Sequence, residues 1–257
     1  MSDGAAAVTE AIVAARGHAI CAYVTGGYPD QDAFPGVLSS VAGAADLVEI
    51  GIPFTDPMAD GLTIQQASHQ ALAGGATLEG LITMLEGVEW AVPHVFMGYY
   101  NPFIAYGLDR LVERMSDVGT AGLIVPDLPH EESDELFALL DARGMALVQL
   151  VAPTTPPGRA ALLAEASRGF VYAVTAKGTT GKATTFDEEA LAYLDRVKAV
   201  STLPVLAGFG VRERSQVIEL AGHVDGVVVG SALIDVIGRG DDPAAFLRGL
   251  RPMEVVS

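Results

Sequence analysis

The feature that most constrains this chain is an eightfold alternation. Short apolar runs bounded by breakers span residues 18–25, 46–52, 93–100, 122–126, 146–153, 169–176, 204–209 and 225–231. Runs of this length and composition suit parallel strands covered on both faces. Between them lie stretches of helical periodicity. Residues 107–119 place Leu108, Leu111, Val112 and Met115 on one face, and residues 132–144 group Leu136, Leu139 and Leu140 before Gly144, a helix-stop signal. Residues 188–201 bring Leu191, Leu194, Val197 and Val200 together, and residues 5–17 predict an extra helix ahead of the first strand. Eight strand–helix units predict an α/β fold: a closed (β/α)8 TIM barrel with an extra N-terminal helix, residues 1–257 forming one domain. Such barrels commonly run to about 250 residues. An open doubly wound sheet usually shows fewer units and a G-x-G-x-x-G turn after its first strand. Here the first run ends in Gly26-Gly27-Tyr28-Pro29, which lacks that spacing.

Composition closes off several classes of function. The chain has 257 residues and a formal charge of −17. A surface so acidic repels phosphate backbones, so no nucleic-acid partner is expected. An anionic substrate would have to be caught by a local site. The single cysteine, Cys21, excludes an intrachain disulfide or a cysteine zinc site, and its apolar surroundings make it a small core residue. His18, His69, His94, His130 and His223 show no paired ligand spacing, so no metal is expected. There is no G-x-S-x-G and no Walker loop. A start without signal-peptide character and the lack of any run of transmembrane length predict a cytoplasmic protein with no membrane association.

In a barrel of this kind, chemistry sits at the C-terminal ends of the strands. Glu49 stands within the apolar run 46–52, where a carboxylate is costly without a partner or a task. Asp60 follows in the next loop. Taken alone, Asp60 before Gly61 and Asp56 before Pro57 also read as turn residues. As a pair, Glu49 and Asp60 offer two environments: desolvation raises the pKa of the glutamate, while an aspartate in a polar loop stays ionised. That division supplies an acid and a base near neutral pH. The late units carry Lys177-Gly178-Thr179-Thr180-Gly181, Gly208-Phe209-Gly210 and Gly230-Ser231. Glycines at strand ends let backbone N–H groups approach an anion, and barrels often bind phosphate after strands 7 and 8. Each glycine alone also fits an ordinary turn. Tyr23, Tyr99, Tyr172 and Phe209 fall near strand ends, where they either line a pocket for a flat ligand or pack in the core.

The segment 46–61, Asp-Leu-Val-Glu-Ile-Gly-Ile-Pro-Phe-Thr-Asp-Pro-Met-Ala-Asp-Gly, followed by Leu62-Thr63-Ile64-Gln65, resembles the signature of the tryptophan synthase α subunit family. Further matches run along nearly the whole chain: Tyr99-Tyr100-Asn101-Pro102 with Tyr106-Gly107, Pro126-Asp127-Leu128-Pro129, Gly169–Tyr172, Gly208–Gly210 and Gly230–Ala232. The resemblance implies a lyase of tryptophan biosynthesis that cleaves indole-3-glycerol phosphate to indole and glyceraldehyde 3-phosphate by retro-aldol chemistry. It implies that Glu49 handles protons at indole C3 and at the glycerol hydroxyl, and that Asp60 binds the indole N–H. It further implies that backbone around Gly181, Gly210, Gly230 and Ser231, with Gly208 beside it, holds the phosphate. Tyr172 would support the site, Thr180 would orient Asp60, and Tyr23, Tyr99 and Phe209 would border the indole. No cofactor is implied in this chain; pyridoxal phosphate is expected only in a partner β subunit, in an α2β2 assembly. A stand-alone lyase and a non-catalytic regulator of a β subunit are the alternatives, and an intact Glu49–Asp60 pair speaks against the second.

The chain departs from the family pattern in two places. The family's loop arginine corresponds to Ala176, flanked by Lys177 and Lys182, and its proline after the Asp-Gly corresponds to Leu62. We expect the two lysines to supply positive charge over the phosphate in place of the arginine. Replacing both Lys177 and Lys182 with alanine should then raise KM for the phosphate substrate in steady-state assays. An unaltered KM would refute that role.

Overall fold

A computed structural model describes residues 3–175, 186–208 and 210–252. Eight parallel strands close on themselves in chain order: β1 Ala19–Thr25, β2 Leu47–Gly51, β3 His94–Met97, β4 Gly122–Ile124, β5 Ala146–Val151, β6 Val171–Val174, β7 Val205–Gly208 and β8 Gly226–Val229. Every predicted run contains one of them. The runs are longer than the strands because apolar character continues past the last ladder bond into the barrel mouth. Tyr100 already starts the helix Tyr100–Tyr106, and Ser231 starts the helix Ser231–Gly238.

The helices pack outside the strands, and the predicted faces are buried or partly buried against the core with one exception. Leu108, Leu111, Val112 and Met115 are all buried on the helix Leu108–Asp117. The predicted helix over 132–144 is a 3-10 turn, His130–Glu132, followed by the α-helix Asp134–Asp141. Gly144 does terminate it: at φ +66° it directs its N–H to Asp141 O and the Met145 N–H to Leu140 O, each at 3.0 Å. These are the paired bonds of a Schellman closure. On the helix Glu188–Val200, Val200 is 40% exposed, against expectation, while Tyr193 is buried with its hydroxyl donating to Val151 O at 2.6 Å. Helical spacing selected the aliphatics, but the last turn of this helix has already left the barrel wall.

Register decides what fills the interior. Partners in a parallel ladder point to the same side, so the pairs Cys21–Leu47, Tyr23–Glu49, Glu49–Val95, Ile124–Val148, Tyr172–Leu206, Gly208–Val228 and Val228–Cys21 place one continuous set inward. This is the layered filling expected of such barrels. Two inward tyrosines are too large for an evenly filled layer, and glycine makes the room. A Cβ on Gly51 would lie 2.1 Å from Tyr23 Oη, and one on Gly208 would lie 2.1 Å from Tyr172 Cε1. The floor is closed by the predicted extra helix, Gly4–Ala14, which buries Val8 and Ile12. Its Ala5 N–H donates to Gly144 O at 2.9 Å and its Thr9 Oγ1 to Gly169 O at 2.7 Å, both just ahead of strands.

Two aspartates secure strand starts in the same way. Asp46 accepts the Ile20 N–H at 2.8 Å and pairs with Arg251 at 3.0 Å. Asp225 accepts the Val205 N–H at 2.9 Å and pairs with Lys198 at 3.2 Å. Each carboxylate therefore joins two neighbouring strands to a basic side chain, Lys198 within a helix and Arg251 just after one, at the bottom of the barrel.

The complementarity of glycine and tyrosine can be tested by stability. Gly208→Ala should overpack the interior against Tyr172 and cost about 1–3 kcal/mol in denaturant unfolding. Gly36→Ala, in the exposed start of the helix Phe34–Ala42 where an added Cβ meets nothing within 4 Å, should instead stabilise by about 0.4–1 kcal/mol. Equal effects at the two sites would contradict this account of the barrel interior.

Candidate active site

Glu49 is fully buried on β2, its side chain turned into the barrel beside Cys21, whose Sγ lies 3.9 Å from Oε2. Its other oxygen, Oε1, has no hydrogen-bond partner among the described residues. Burial pushes its pKa up to about 8, the negative charge of Asp60 adds to the rise, and the Cys21 contact opposes it. At neutral pH the group is therefore mostly a carboxylic acid. A buried acid with one oxygen free of protein partners can give a proton to, or take one from, a molecule entering the mouth.

Asp60 is positioned by its loop rather than by a strand. Gln65, one turn into the helix Leu62–Ala73, donates from Nε2 to Asp60 O at 2.8 Å, and the Asp60 N–H donates to Pro57 O at 3.1 Å. Tyr99, immediately ahead of the helix Tyr100–Tyr106, donates its hydroxyl to Asp60 Oδ2 at 3.2 Å while accepting the Ala59 N–H at 2.8 Å. The Tyr99 ring tilts against Phe54 at 5.2 Å, and the Tyr100 N–H bonds Asp127 Oδ1 at 2.9 Å. Loops after β2 and β3 thus meet at one carboxylate, with Asp127 after β4 holding the start of the helix that follows Tyr99. Asp60 is only half-buried, but burial still raises its pKa to about 6, with the Tyr99 hydrogen bond opposing. The expected order, glutamate above aspartate, is present in these values. The aspartate, however, is less loop-like than its sequence context suggests, because Tyr99 and the helix after it cover it.

Tyr23 and Tyr172 belong to the same chamber. Both are buried, and both hydroxyls have raised pKa values: burial is the main cause in each, with Asp60 next for Tyr23 and Glu49 next for Tyr172. Across the mouth, Gly208 ends β7 and Gly210 follows at φ +94°, a conformation that favours glycine. Gly230 precedes the first turn of the helix Ser231–Gly238, whose leading N–H groups have no acceptor within the helix. A Cβ on Gly230 would lie 3.5 Å from Ile64 Cδ1 and 3.6 Å from Tyr23 Cβ, so this helix start abuts both β1 and the helix that follows Asp60. An anion here would meet backbone donors and the positive end of a helix dipole.

Of the residues singled out in the sequence, Glu49, Asp60, Tyr23, Tyr99 and Tyr172 come together at the mouth, with Gly208, Gly210, Gly230 and Ser231 on its β7–β8 side. Phe209, Lys177, Thr180, Gly181 and Lys182 lie outside the described residues. Asp56 is an exposed turn residue bonded to Thr55 Oγ1 at 2.6 Å. Leu62 takes the first position of its helix, where proline is favoured but not required. Gln65 and Asp127 were visible only as letters of longer motifs; their contacts to the Asp60 carbonyl and the Tyr100 N–H depend on where loops meet. Among the described residues, no three His, Cys, Asp or Glu side chains form a group able to hold a metal ion.

The raised pKa values have a thermodynamic consequence. Glu49 binds its proton more tightly in the folded chain, near pH 8, than at its ordinary value of 4.5. Its contribution to stability is therefore complete below about 4.5 and is lost as pH rises through about 8. Asp60 acts with the same sign between 3.8 and about 6. Glu49→Gln removes the larger titration. Its melting temperature relative to the parent should climb from about pH 5 to about pH 8.5; a difference independent of pH would disprove the buried-acid assignment.

Comparison with known proteins agrees with this architecture. A family model described as the tryptophan synthase alpha chain matches residues 10–250. The tryptophan synthase alpha chain of Roseiflexus sp. (strain RS-1) is 44% identical over 223 residues, 85% of each chain. That of Solidesulfovibrio magneticus is 41% identical over 243 residues, covering 93% of this chain and 94% of the relative. Among solved structures, tryptophan synthase from Mycobacterium tuberculosis superposes with a TM-score of 0.88 at 35% identity, over 97% of both chains. A structure addressing mutual activation in the tryptophan synthase a2b2 complex of Pyrococcus furiosus gives a TM-score of 0.85 at 34% identity, over 91% of this chain and 97% of that one. With identities well above 30% across most of its length and a family model spanning nearly all of it, the chain belongs to the tryptophan synthase alpha chain family.

Proposed function

We propose that this chain is the lyase component of a tryptophan synthase, cleaving indole-3-glycerol phosphate to indole and glyceraldehyde 3-phosphate, with Glu49 and Asp60 as its catalytic residues. The observation that carries this reading is the pair of carboxylates at one mouth with separated pKa values, about 8 and about 6. Glu49 enters as the acid and protonates indole C3. The ring becomes an indoleninium cation, and ionised Asp60 stabilises the charge at the ring N–H. The glycerol hydroxyl next to C3 then returns its proton to Glu49. Its oxygen electrons form the aldehyde C=O, and the pair from the broken C–C bond restores the neutral indole. Glu49 ends protonated, as it began. The low-dielectric interior strengthens both electrostatic steps.

Tyr99 keeps Asp60 turned toward the ring, Tyr23 and Tyr172 supply apolar walls, and backbone at Gly208, Gly210, Gly230 and Ser231 binds the phosphate opposite. Phe209, Thr180 and Gly181 are proposed to complete the pocket and the phosphate site on the strength of the family resemblance. The chain itself needs no cofactor for this chemistry, and pyridoxal phosphate is proposed only for the partner. For that partner, a β subunit, the exposed apolar side chains after β2 and β3 are the natural dock: Met58 is 90%, Leu62 64% and Ile104 52% exposed. Among the described residues, no helix is long and apolar enough to cross a membrane, consistent with a proposed cytoplasmic location.

Indole release from indole-3-glycerol phosphate should be measurable and should rise sharply when a β subunit is added. Glu49→Gln and Asp60→Asn should each lower kcat by at least about 100-fold while substrate still binds, as loss of a general acid or base does. Near-normal turnover in either variant would remove the acid–base assignment. High parent activity indifferent to the β subunit would identify a stand-alone lyase instead.

A further inference from the structure

Among the described residues, the phosphate end of the proposed site comes from two separate pieces of chain, the loop after β7 and the start of the helix after β8. Backbone donors on two pieces bind one anion well only if the pieces hold a fixed separation. The structure contains a connection between them that the reaction itself does not use. Arg212, two residues past Gly210, directs Nη1 to Asp235 Oδ2 at 3.0 Å, and Asp235 lies in the helix Ser231–Gly238. Both side chains are about one-third exposed, 37% and 34%, so the pair is better shielded than a free surface ion pair. Arg212 is itself held from below. The buried Gln216 side chain accepts the Arg212 N–H at 2.7 Å and the Glu213 N–H at 3.0 Å through Oε1, and donates from Nε2 to Gly210 O at 3.2 Å. The loop is thus bonded at three backbone points to its own helix, Arg214–Leu220, and strapped by one side chain to the next.

We propose that Arg212 and Asp235 are positioning residues for phosphate recognition: their ion pair sets the gap between the Gly210 and Gly230–Ser231 halves of the cradle. Asp235 also places a negative charge about one turn inside the helix whose N-terminus faces the anion, and Arg212 neutralises it. This rests on the lyase reading above, but only on its phosphate end.

The test uses the full chain, with Arg212→Ala, Asp235→Ala and the double variant compared with the parent. Two quantities are read: steady-state indole release from indole-3-glycerol phosphate, and inorganic phosphate binding followed by amide shifts at Gly230 and Ser231. Arg212→Ala should raise KM and the phosphate Kd by about tenfold, with a smaller change in kcat. Asp235→Ala should do the same to a lesser degree, and the double variant should be no worse than Arg212→Ala, since the two act through one contact. Arg212→Lys should recover part of the loss. Unchanged KM and Kd, or additive effects, would overturn the strap. A tighter KM in Asp235→Ala would overturn it in favour of Arg212 contacting phosphate directly. A parent that binds phosphate without cleaving the substrate would defeat the lyase reading and leave the strap standing; a parent that does neither defeats both.

Discussion

The structure depends on one expensive arrangement: a carboxyl group sealed inside a closed sheet. Glu49 has no solvent exposure, one thiol contact and, among the described residues, one oxygen without a partner. A charge in that position is disfavoured, so the group mostly keeps its proton near neutral pH. The same desolvation that costs stability brings its pKa close to neutral, which suits the role of proton donor proposed for it. Its partner Asp60 is less buried and tied to Tyr99, which keeps the second carboxyl mostly ionised. Two groups of the same chemistry thus take opposite states because one faces the barrel interior and the other its rim.

The walls of that chamber are shaped by close pairing of tyrosine with glycine. The inward tyrosines on β1 and β6 lie over glycines on the neighbouring strands β2 and β7, which leave them room. Below them, the helix Gly4–Ala14 and the strand-joining aspartates Asp46 and Asp225 close the floor. Stability is concentrated at the bottom and chemistry at the top, the division typical of parallel barrels. The ion pair Arg212–Asp235 belongs to the upper half, where it joins the loop after β7 to the helix after β8.

Much of this was legible in the letters. Eight apolar runs led to eight strands because parallel strands covered on both faces leave a compositional trace without needing any partner to be known. Gly144 could be read as a helix stop because a left-handed residue is a local requirement. Glu49 stood out because a charged residue within an apolar run is rare. Val200 misled because helical spacing does not report where the supporting sheet ends. Asp60 looked like an ordinary turn residue because its cover comes from Tyr99, 39 positions away. Gln65 showed only as a letter of a longer motif, Gln216 only as the third residue after a helix-capping Glu213, and Arg212 not at all, since their roles lie in which backbone atoms or loops they meet.

The order of elements and the closed topology were therefore determined by the sequence alone, through periodicity, and the unfavourable placement of one glutamate marked where to look for chemistry. Tertiary structure alone decided which way that glutamate points, how far burial shifts each carboxyl, and which side chains hold the rim together. The physical reason is range. Propensity and hydrophobic period act over a few residues, whereas desolvation and hydrogen bonding depend on neighbours that only the closed barrel brings within reach.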